Sequence, residues 1–388
     1  MEIEVIKNRY NPEIALLLLC CRVFTGSVNA GAINDFIAGT PVDWAHFYQL
    51  AAAHRIRPVL HAVFSDTGIN ADTGVKERLR SFCMSHTAFA LKKCNESERL
   101  TALLAEQGIT VKTYKGSDFA KVAYGNISLR ESADIDIMIN QSDLDRIIPI
   151  MEANGFMMDD TLYYRRFRKR YLSAEKEAVF NYNAEKGFMQ ADLHYRPSKY
   201  YMNYTGTFSE MLDDGYLLAS RRFNEYDYLK LMLVNSAVAD YFPDIRSVLD
   251  LAMMYQKTGN AAGNLGDIPV VYSQLSSLLI KDLLGMGAAD EKAVPESVRS
   301  VSKALRERLL TMQQKQRVSF GKAFYYNIRL SENIAQKMSA VRRAIHFALT
   351  PNGRDIDSHY LPFWTLYYLS RPFRLLVKAA TGKAGTNK

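Results

Sequence analysis

ADIDIMIN, residues 133–140, is the stretch that decides the fold, because polar and apolar residues alternate along it for the length of one strand. Side chains alternate between the two faces of a strand, so Asp134 and Asp136 project to one side while Ile135 and Ile137 point into the core. Two carboxylates on one face repel each other unless a cation lies between them. The stretch therefore predicts a half-buried strand with an acidic face that binds a cation.

A candidate phosphate-binding loop lies upstream of this strand. The β-rich segment Ile109–Tyr114 (ITVKTY) runs directly into Lys115, Gly116 and Ser117, and a helix is predicted over Asp118–Tyr124. The N-terminus of such a helix leaves backbone N–H groups free for phosphate oxygens, and only glycine lets the backbone approach them closely. Gly116 and Ser117 are therefore predicted to bind phosphate.

A third carboxylate, Asp192, lies in the last of three strands predicted downstream. These strands are Thr161–Arg168, Ala178–Asn183 and Phe188–Tyr195. If the last strand pairs beside residues 133–140, then Asp134, Asp136 and Asp192 converge on one spot as metal ligands. Oxygen ligands suit Mg²⁺ or Mn²⁺. His194 shares the face of Asp192 and is predicted to form a hydrogen bond to it.

The roles of nearby basic residues stay open at this point. Lys115 either pairs with the β- and γ-phosphates of a nucleotide or lies in solvent. Arg130, four residues before Asp134, either steadies a triphosphate or neutralises the carboxylate pair. The run Tyr163–Tyr171 (YYRRFRKRY) interleaves aromatic and basic residues, which is typical of a solvated hairpin and also suits contact with a polyanion.

The mixed segment lies between two helical regions, which makes the chain an α+β protein with helical flanks. We divide it into an N-terminal helical region (1–107), an α+β domain (108–205), a C-terminal helical domain (206–350), and a basic aromatic helix with its tail (351–388). Apolar periodicity predicts the helices at Pro12–Phe24, Asp43–His54, Ile56–Phe64, Val75–Gln107, Tyr226–Val238, Ile245–Gln256, Pro269–Leu284, Val298–Gln316, Glu332–Leu349 and Leu361–Ala380.

The composition is that of a globular protein, with 48% hydrophobic and 23% charged residues among 388. The four cysteines have neither the spacing of a zinc site nor that of a disulfide framework, and we interpret them as reduced core thiols. No signal peptide and no membrane-spanning run is recognisable, which predicts a cytoplasmic protein.

The net charge of +8 is concentrated near the C-terminus, where residues 301–388 hold 16 basic and 4 acidic residues. Such a segment suits phosphates, anionic lipid or an acidic partner. Within it, Tyr360–Lys378 (YLPFWTLYYLSRPFRLLVK) combines aromatic and basic residues. Two interpretations remain for that segment: a packed helix that closes the C-terminal bundle, or an amphipathic helix that makes peripheral contact with an anionic membrane.

The order of these motifs resembles the DNA polymerase β-type nucleotidyltransferase superfamily, and most closely its uncharacterised bacterial branch of nucleotidyltransferase family proteins. The central pieces are Lys115-Gly116, Tyr124-Gly125, Arg130, Asp134-Ile135-Asp136 and Asp192-Leu193-His194-Tyr195. Upstream, Asp43-Trp44 and Ala53-His54-Arg55-Ile56 are similar to the helical N-terminal stretch of that branch; downstream, Arg246 and Asp250-Leu251-Ala252 are similar to its C-terminal helical motif.

The resemblance implies a mixed sheet with flanking helices and a nucleoside triphosphate as substrate. The expected reaction moves a nucleoside monophosphate, AMP from ATP in the first instance, to a hydroxyl-type acceptor on a small molecule, glycan or peptide. Mg²⁺ or Mn²⁺ would be bound by Asp134, Asp136 and Asp192, and pyrophosphate would be released. Two alternatives remain open: an RNA-tailing enzyme, although no nucleic-acid-binding module is recognisable, and a weakly catalytic nucleotide-binding scaffold at a membrane.

Overall fold

A computed structural model describes residues 1–65, 68–184, 187–202, 223–259, 265, 268–287, 294–314, 317–358 and 361–381. The predicted boundary between residues 205 and 206 lies outside this part of the chain. The N-terminal helices are α1 Ile3–Arg9, α2 Pro12–Phe24, α3 Gly31–Gly39, α4 Trp44–Ala53, α5 Arg57–Phe64 and α6 Thr73–Glu106. Asn11, Asp43 and Asp72 cap α2, α4 and α6 by accepting backbone N–H groups with their side chains.

A five-stranded mixed sheet forms the centre of the described chain. Its strands and the helices between them are β1 Val111–Thr113, α7 Gly116–Tyr124, β2 Ile135–Ile139, α8 Leu144–Ala153, β3 Phe156–Met158, α9 Thr161–Ala174, β4 Glu177–Ala184 and β5 Gly187–His194. The spatial order is β1-β2-β5-β4-β3, with β2 and β5 parallel and the other pairs antiparallel. The predicted α+β class with helical flanks is confirmed.

The strand predicted at Thr161–Arg168 is wrong, because these residues begin helix α9. Aromatic residues favour strands, and this propensity misled the prediction. The buried rings nevertheless recur with helical spacing, at Tyr163, Tyr164 and Tyr171. Tyr163 stacks on Trp364 of the C-terminal segment, with ring centroids 6.0 Å apart, a partner that local propensity does not register. The third strand of that part of the sheet is instead the short β3.

Most of the remaining helices coincide with predicted ones, but Phe320–Leu330 and Gly353–Ser358 were not predicted. The remaining helices are α10 Glu225–Leu233, α11 Ile245–Lys257, α12 Val270–Leu284, α13 Glu296–Thr311, α14 Phe320–Leu330, α15 Ile334–Leu349, α16 Gly353–Ser358 and α17 Trp364–Thr381. A π-helical turn, Val234–Ala239, continues α10. No described helix is both long and apolar enough to span a bilayer.

Two hydrophobic cores lie on opposite faces of the sheet. Ile135 and Ile137 of β2 belong to the smaller core, together with Leu193 of β5 and residues of α8 and α9. Met138, whose side chain emerges from the other face of β2, belongs to the larger core. That core joins α2 and α5 to helices α10–α13, whereas Leu100 and Leu104 near the end of α6 belong to the smaller core.

The C-terminal helix α17 covers part of the smaller core. Its buried Tyr367 and the ring of Trp364 belong to that core, and Trp364 lies 4.8 Å from Phe167 of α9 by ring centroids. Arg371 pairs with Asp355 of α16. The inner face of the helix therefore packs against the body of the protein.

Candidate active site

The register of the parallel strands β2 and β5 brings two predicted metal ligands together. Asp136 is paired with Asp192, and Ile137 with Leu193 on the opposite face. Asp136 and Asp192 are both buried, and ligand atoms of Asp136, Asp192 and His194 all lie within 4.8 Å of one another. Asp134 precedes β2 and is half-buried; it stands outside this cluster but lines the same cavity.

Two hydrogen-bond donors hold the carboxylate of Asp136. Lys115 Nζ donates to Oδ1 at 3.1 Å, and His194 Nε2 lies 2.9 Å from the same oxygen. Burial alone would raise the pKa of Asp136, but the Lys115 charge and the His194 contact hold it well below its ordinary value. Asp136 is therefore a firmly ionised and oriented carboxylate. Lys115, which the sequence placed either on phosphate or in solvent, is engaged with it.

His194 contacts Asp136 rather than the predicted Asp192. Met138 is the residue of β2 that pairs with His194, so Asp136 lies diagonally across the strand pair, at a separation that a long ring side chain can span. The other ring nitrogen, Nδ1, lies 2.9 Å from Oε2 of Glu177, the residue that opposes His194 in the β4–β5 pair. A carboxylate thus lies against each ring nitrogen, although the Nδ1–Oε2 contact lacks hydrogen-bond geometry.

Asp192 sits in the opposite electrostatic environment to Asp136. Burial and the nearby charge of Glu177 raise the pKa of Asp192 to about 7. Gln190 donates to its Oδ1 at 2.8 Å, and no ion pair of Asp192 with a basic residue occurs among the described residues. A cation between Asp136 and Asp192 would relieve this repulsion. Because both nitrogens of His194 already face carboxylates, the remaining donors are oxygens, a set that fits a hard divalent ion.

The predicted phosphate loop lies beside this acidic face. Gly116 begins α7 with a φ of +58°, a conformation that side chains disfavour, and a Cβ there would lie 3.7 Å from the carbonyl oxygen of Asp134. No side chain caps this helix N-terminus. Gly116 and Ser117 line a small cleft together with Asp134 and Asp136. Unsatisfied N–H groups of a helix terminus therefore lie next to the carboxylates.

Arg130 does not neutralise the Asp134–Asp136 pair. Its Nε donates to both oxygens of Asp250, at 3.1 and 3.0 Å, and Tyr124 donates its hydroxyl to the same carboxylate at 2.7 Å. Arg130 lines the cavity, but its charge is balanced by Asp250 of α11.

The cavity above the carboxylates has a volume of about 300 Å³. Its opposite wall includes the π-helical turn and the residues that follow it, among them Asp240 and Tyr241. Tyr241 and Phe242 have φ angles of +48° and +52°, and Arg308 donates to both of their carbonyl oxygens. Left-handed residues with bulky side chains and π-helical turns both concentrate at functional sites, where surrounding contacts hold the strain.

Several residues of the cavity wall are absent from the sequence-based site. Glu177 stands one position before the predicted strand Ala178–Asn183, and its pairing with His194 depends on strand register. Lys93 of α6 lines the small cleft beside Gly116 instead; it donates to the carbonyl oxygen of Ser132 at 2.6 Å, and burial lowers its pKa to about 8. Nothing in a helical pattern singles it out. Basic residues of the cavity wall outside the sequence-based site include Arg55, Lys176 and Arg246; the first and last stand in the motifs that carry the family resemblance.

The structure combines a mixed sheet that carries paired carboxylates with a helix that begins at a glycine and with flanking helical regions. This is the arrangement of a nucleotidyltransferase. The chain belongs to the family described as uncharacterised nucleotidyltransferase, whose model matches residues 40–285. This match covers the phosphate loop, all three carboxylates and the cavity wall up to α12. Neither the curated proteins nor the solved structures contain a match to the chain.

Proposed function

We propose that the protein transfers AMP from ATP to a hydroxyl group on a small molecule, glycan or peptide and releases pyrophosphate. The acceptor oxygen forms a bond to the α-phosphorus as the bond to the α–β bridging oxygen breaks, and the hydroxyl proton leaves to a base. The observation that carries this proposal is the pairing of Asp136 with Asp192 across parallel strands at the floor of a 300 Å³ cavity.

The three carboxylates would have different roles as metal ligands. Asp134 and Asp136 would both bind Mg²⁺ or Mn²⁺, and Asp192 would complete the acceptor-side site and favour deprotonation of the hydroxyl. When bound, the ions supply positive charge against the phosphate oxygens. Lys115 and His194 hold Asp136 in place for this role, at 3.1 and 2.9 Å.

The phosphate loop would hold the departing pyrophosphate. The N-terminus of α7 offers unsatisfied N–H groups at Gly116 and Ser117, and Gly116 approaches the carbonyl oxygen of Asp134 closely. The β- and γ-phosphates placed there would present the α-phosphate to the metal-binding carboxylates. This positioning accounts for most of the catalysis in phosphoryl transfer.

The experiment that tests the proposal follows the label of [α-³²P]ATP. The protein is incubated with labelled ATP, MgCl₂ and a small-molecule extract, and transfer of label to an acceptor is measured beside parallel reactions with GTP, CTP and UTP. We expect transfer from ATP that EDTA prevents and Asp134→Ala abolishes. Asp35→Ala removes an exposed carboxylate of α3 and serves as the matched control, which should retain full transfer.

Wild-type transfer by Asp134→Ala would show that the carboxylates are not the catalytic site. Transfer from another nucleotide in preference to ATP would overturn the choice of donor while leaving the reaction class intact. Label that appears only on added RNA would favour the tailing reaction over a small acceptor.

A further inference from the structure

Three arginines line the cavity close to Asp134: Arg55 from the turn between α4 and α5, Arg130, and Arg246 of α11. Arg130 is balanced by the carboxylate of Asp250, with both oxygens within 3.1 Å of its Nε. Arg55 and Arg246 have no such two-oxygen contact with one carboxylate among the described residues. Arg55 and Arg246 are therefore the better candidates for binding a ligand, whereas Arg130 holds the fold through Asp250.

Arg55 and Arg246 converge on a single neutral acceptor. Arg55 donates from Nη2 to the carbonyl oxygen of Glu131 at 3.1 Å, and Arg246 donates from Nη1 to the same oxygen. Within the described chain, Arg55 forms no ion pair. The buried Nε of Arg246 has no hydrogen-bond partner, and the carboxylate of Asp244 lies 3.8 Å away from it. Burial acts to lower the pKa of Arg246, but the charges of Asp244, Asp250 and Asp134 raise it above its ordinary value.

Arg55 is the less favourably placed of the two guanidinium groups. Burial and the neighbouring Arg246 charge lower the pKa of Arg55 to about 10. The backbone of Arg55 has a φ of +58°, in the left-handed region that residues with a Cβ disfavour. Two like charges and a strained backbone beside a cavity are stabilised together when an anion enters between the guanidinium groups.

We propose that Arg55 and Arg246 form an anion subsite that binds phosphate oxygens of the donor triphosphate next to Asp134. This inference rests on the proposed function and assigns to Arg55 the triphosphate contact that the sequence suggested for Arg130. The planar guanidinium fork matches a phosphate better than an ammonium group does, so arginine is suited to this position. The triphosphate would then be bound from two sides: by the phosphate loop at Gly116 and by arginines of the two helical regions.

The test measures binding rather than turnover, with magnesium tripolyphosphate as the probe and calorimetry as the readout. In the full-length protein, Arg55→Gln should weaken tripolyphosphate binding by about tenfold or more, because a charge-assisted contact is lost. Arg55→Asn should do the same, and asparagine tolerates a positive φ, so this variant tests the proposal even if the first folds poorly. Arg78→Gln removes one exposed charge of α6 and should bind as the wild type does.

Thermal melting separates this role from a structural one. Without ligand, the Arg55 variants should melt close to the wild type, and the stabilisation by tripolyphosphate should shrink. Unchanged tripolyphosphate affinity in folded Arg55 variants would overturn the inference, even if label transfer falls, because the arginines would then serve the acceptor. Loss of transfer in Asp134→Ala beside normal binding by Arg55→Gln would refute the subsite alone. A wild type that binds neither tripolyphosphate nor ATP would refute both.

Discussion

The two faces of the β2–β5 strand pair differ in what they contribute, although their residues alternate along the same two strands. On one face Ile137 lies beside Leu193, both fully buried in the smaller core. On the other, Asp136 lies beside Asp192 at the floor of the cavity. Each functional residue is thus followed directly by a structural one. A single register fixes both pairs, so the packing of the apolar face determines the geometry of the acidic face.

The two faces also contribute to the free energy of folding with opposite sign. Burial of Ile137 and Leu193 stabilises the domain by about 1.5–3 kcal/mol for each side chain. Asp192 has the reverse effect, since burial and Glu177 raise its pKa to about 7 and an ionised carboxylate there opposes folding. The apolar face thus offsets the unfavourable charge of Asp192, and a perturbed carboxylate of this kind is typical of a functional site.

The largest effect is expected for Asp192→Asn, which should lower label transfer about a thousandfold, since metal ligation supplies several kcal/mol in such reactions. At pH 8 without metal, the variant should melt no lower than the wild type. The sign follows from the pKa: the folded value lies above the ordinary one, so the ionised group destabilises the fold at high pH. Calorimetry and the transfer assay check both statements.

Leu193→Ala, at the next residue, is the matched control for that comparison. We expect it to cost about 2–5 kcal/mol of unfolding free energy, because a cavity forms in the smaller core. Its transfer rate per folded molecule should stay near that of the wild type. If Asp192→Asn instead lost stability and kept activity, the assignment of the two faces would be reversed.

The same division appears on the C-terminal helix α17, where it predicts a smaller effect. Tyr367 on the inner face is fully buried, whereas Leu369 two residues later is 66% exposed. Tyr367→Ala should therefore cost about 3 kcal/mol, while Leu369→Ala should stay within about 0.5 kcal/mol, both measured by denaturant unfolding. Equal small changes would mean that the helix does not close the smaller core. A loss of sedimentation with anionic vesicles in Leu369→Ala alone would point instead to a lipid-facing outer side.

The acidic face could be predicted from the sequence, because the alternation of polar and apolar residues along a strand is a local property. The pattern of residues 133–140 orients Asp134 and Asp136, and the strand around Asp192 has the same period. The partners of these residues depend on contacts that no local pattern contains. Arg130 meets Asp250, which lies 120 residues away along the chain. Glu177 joins the site through strand register, and Arg55 through the packing of the helical regions. The aromatic spacing of α9 was local as well, but strand propensity obscured it.

Two glycines with a positive φ stand at the ends of α7, Gly116 as its first residue and Gly125 as the residue that follows its last turn. Gly116 has a φ of +58° and Gly125 a φ of +72°, and neither would place a Cβ within 3.4 Å of a neighbour. Gly116→Ala and Gly125→Ala should therefore each cost about 1–2 kcal/mol, from backbone strain rather than from a clash.

Only Gly116→Ala should also weaken the binding of magnesium ATP, because its methyl group would lie near Asp134, where phosphates must approach the helix N-terminus. Gly125, at the C-terminal end, controls for the strain and should leave ATP affinity unchanged. Titration calorimetry on both variants separates the two contributions, since strain lowers the melting temperature in each while phosphate contact is lost in one. If Gly116→Ala and Gly125→Ala bound ATP with equal affinity, the loop at Gly116 would not contact phosphate. The anion subsite at Arg55 would then be the remaining candidate for binding the triphosphate.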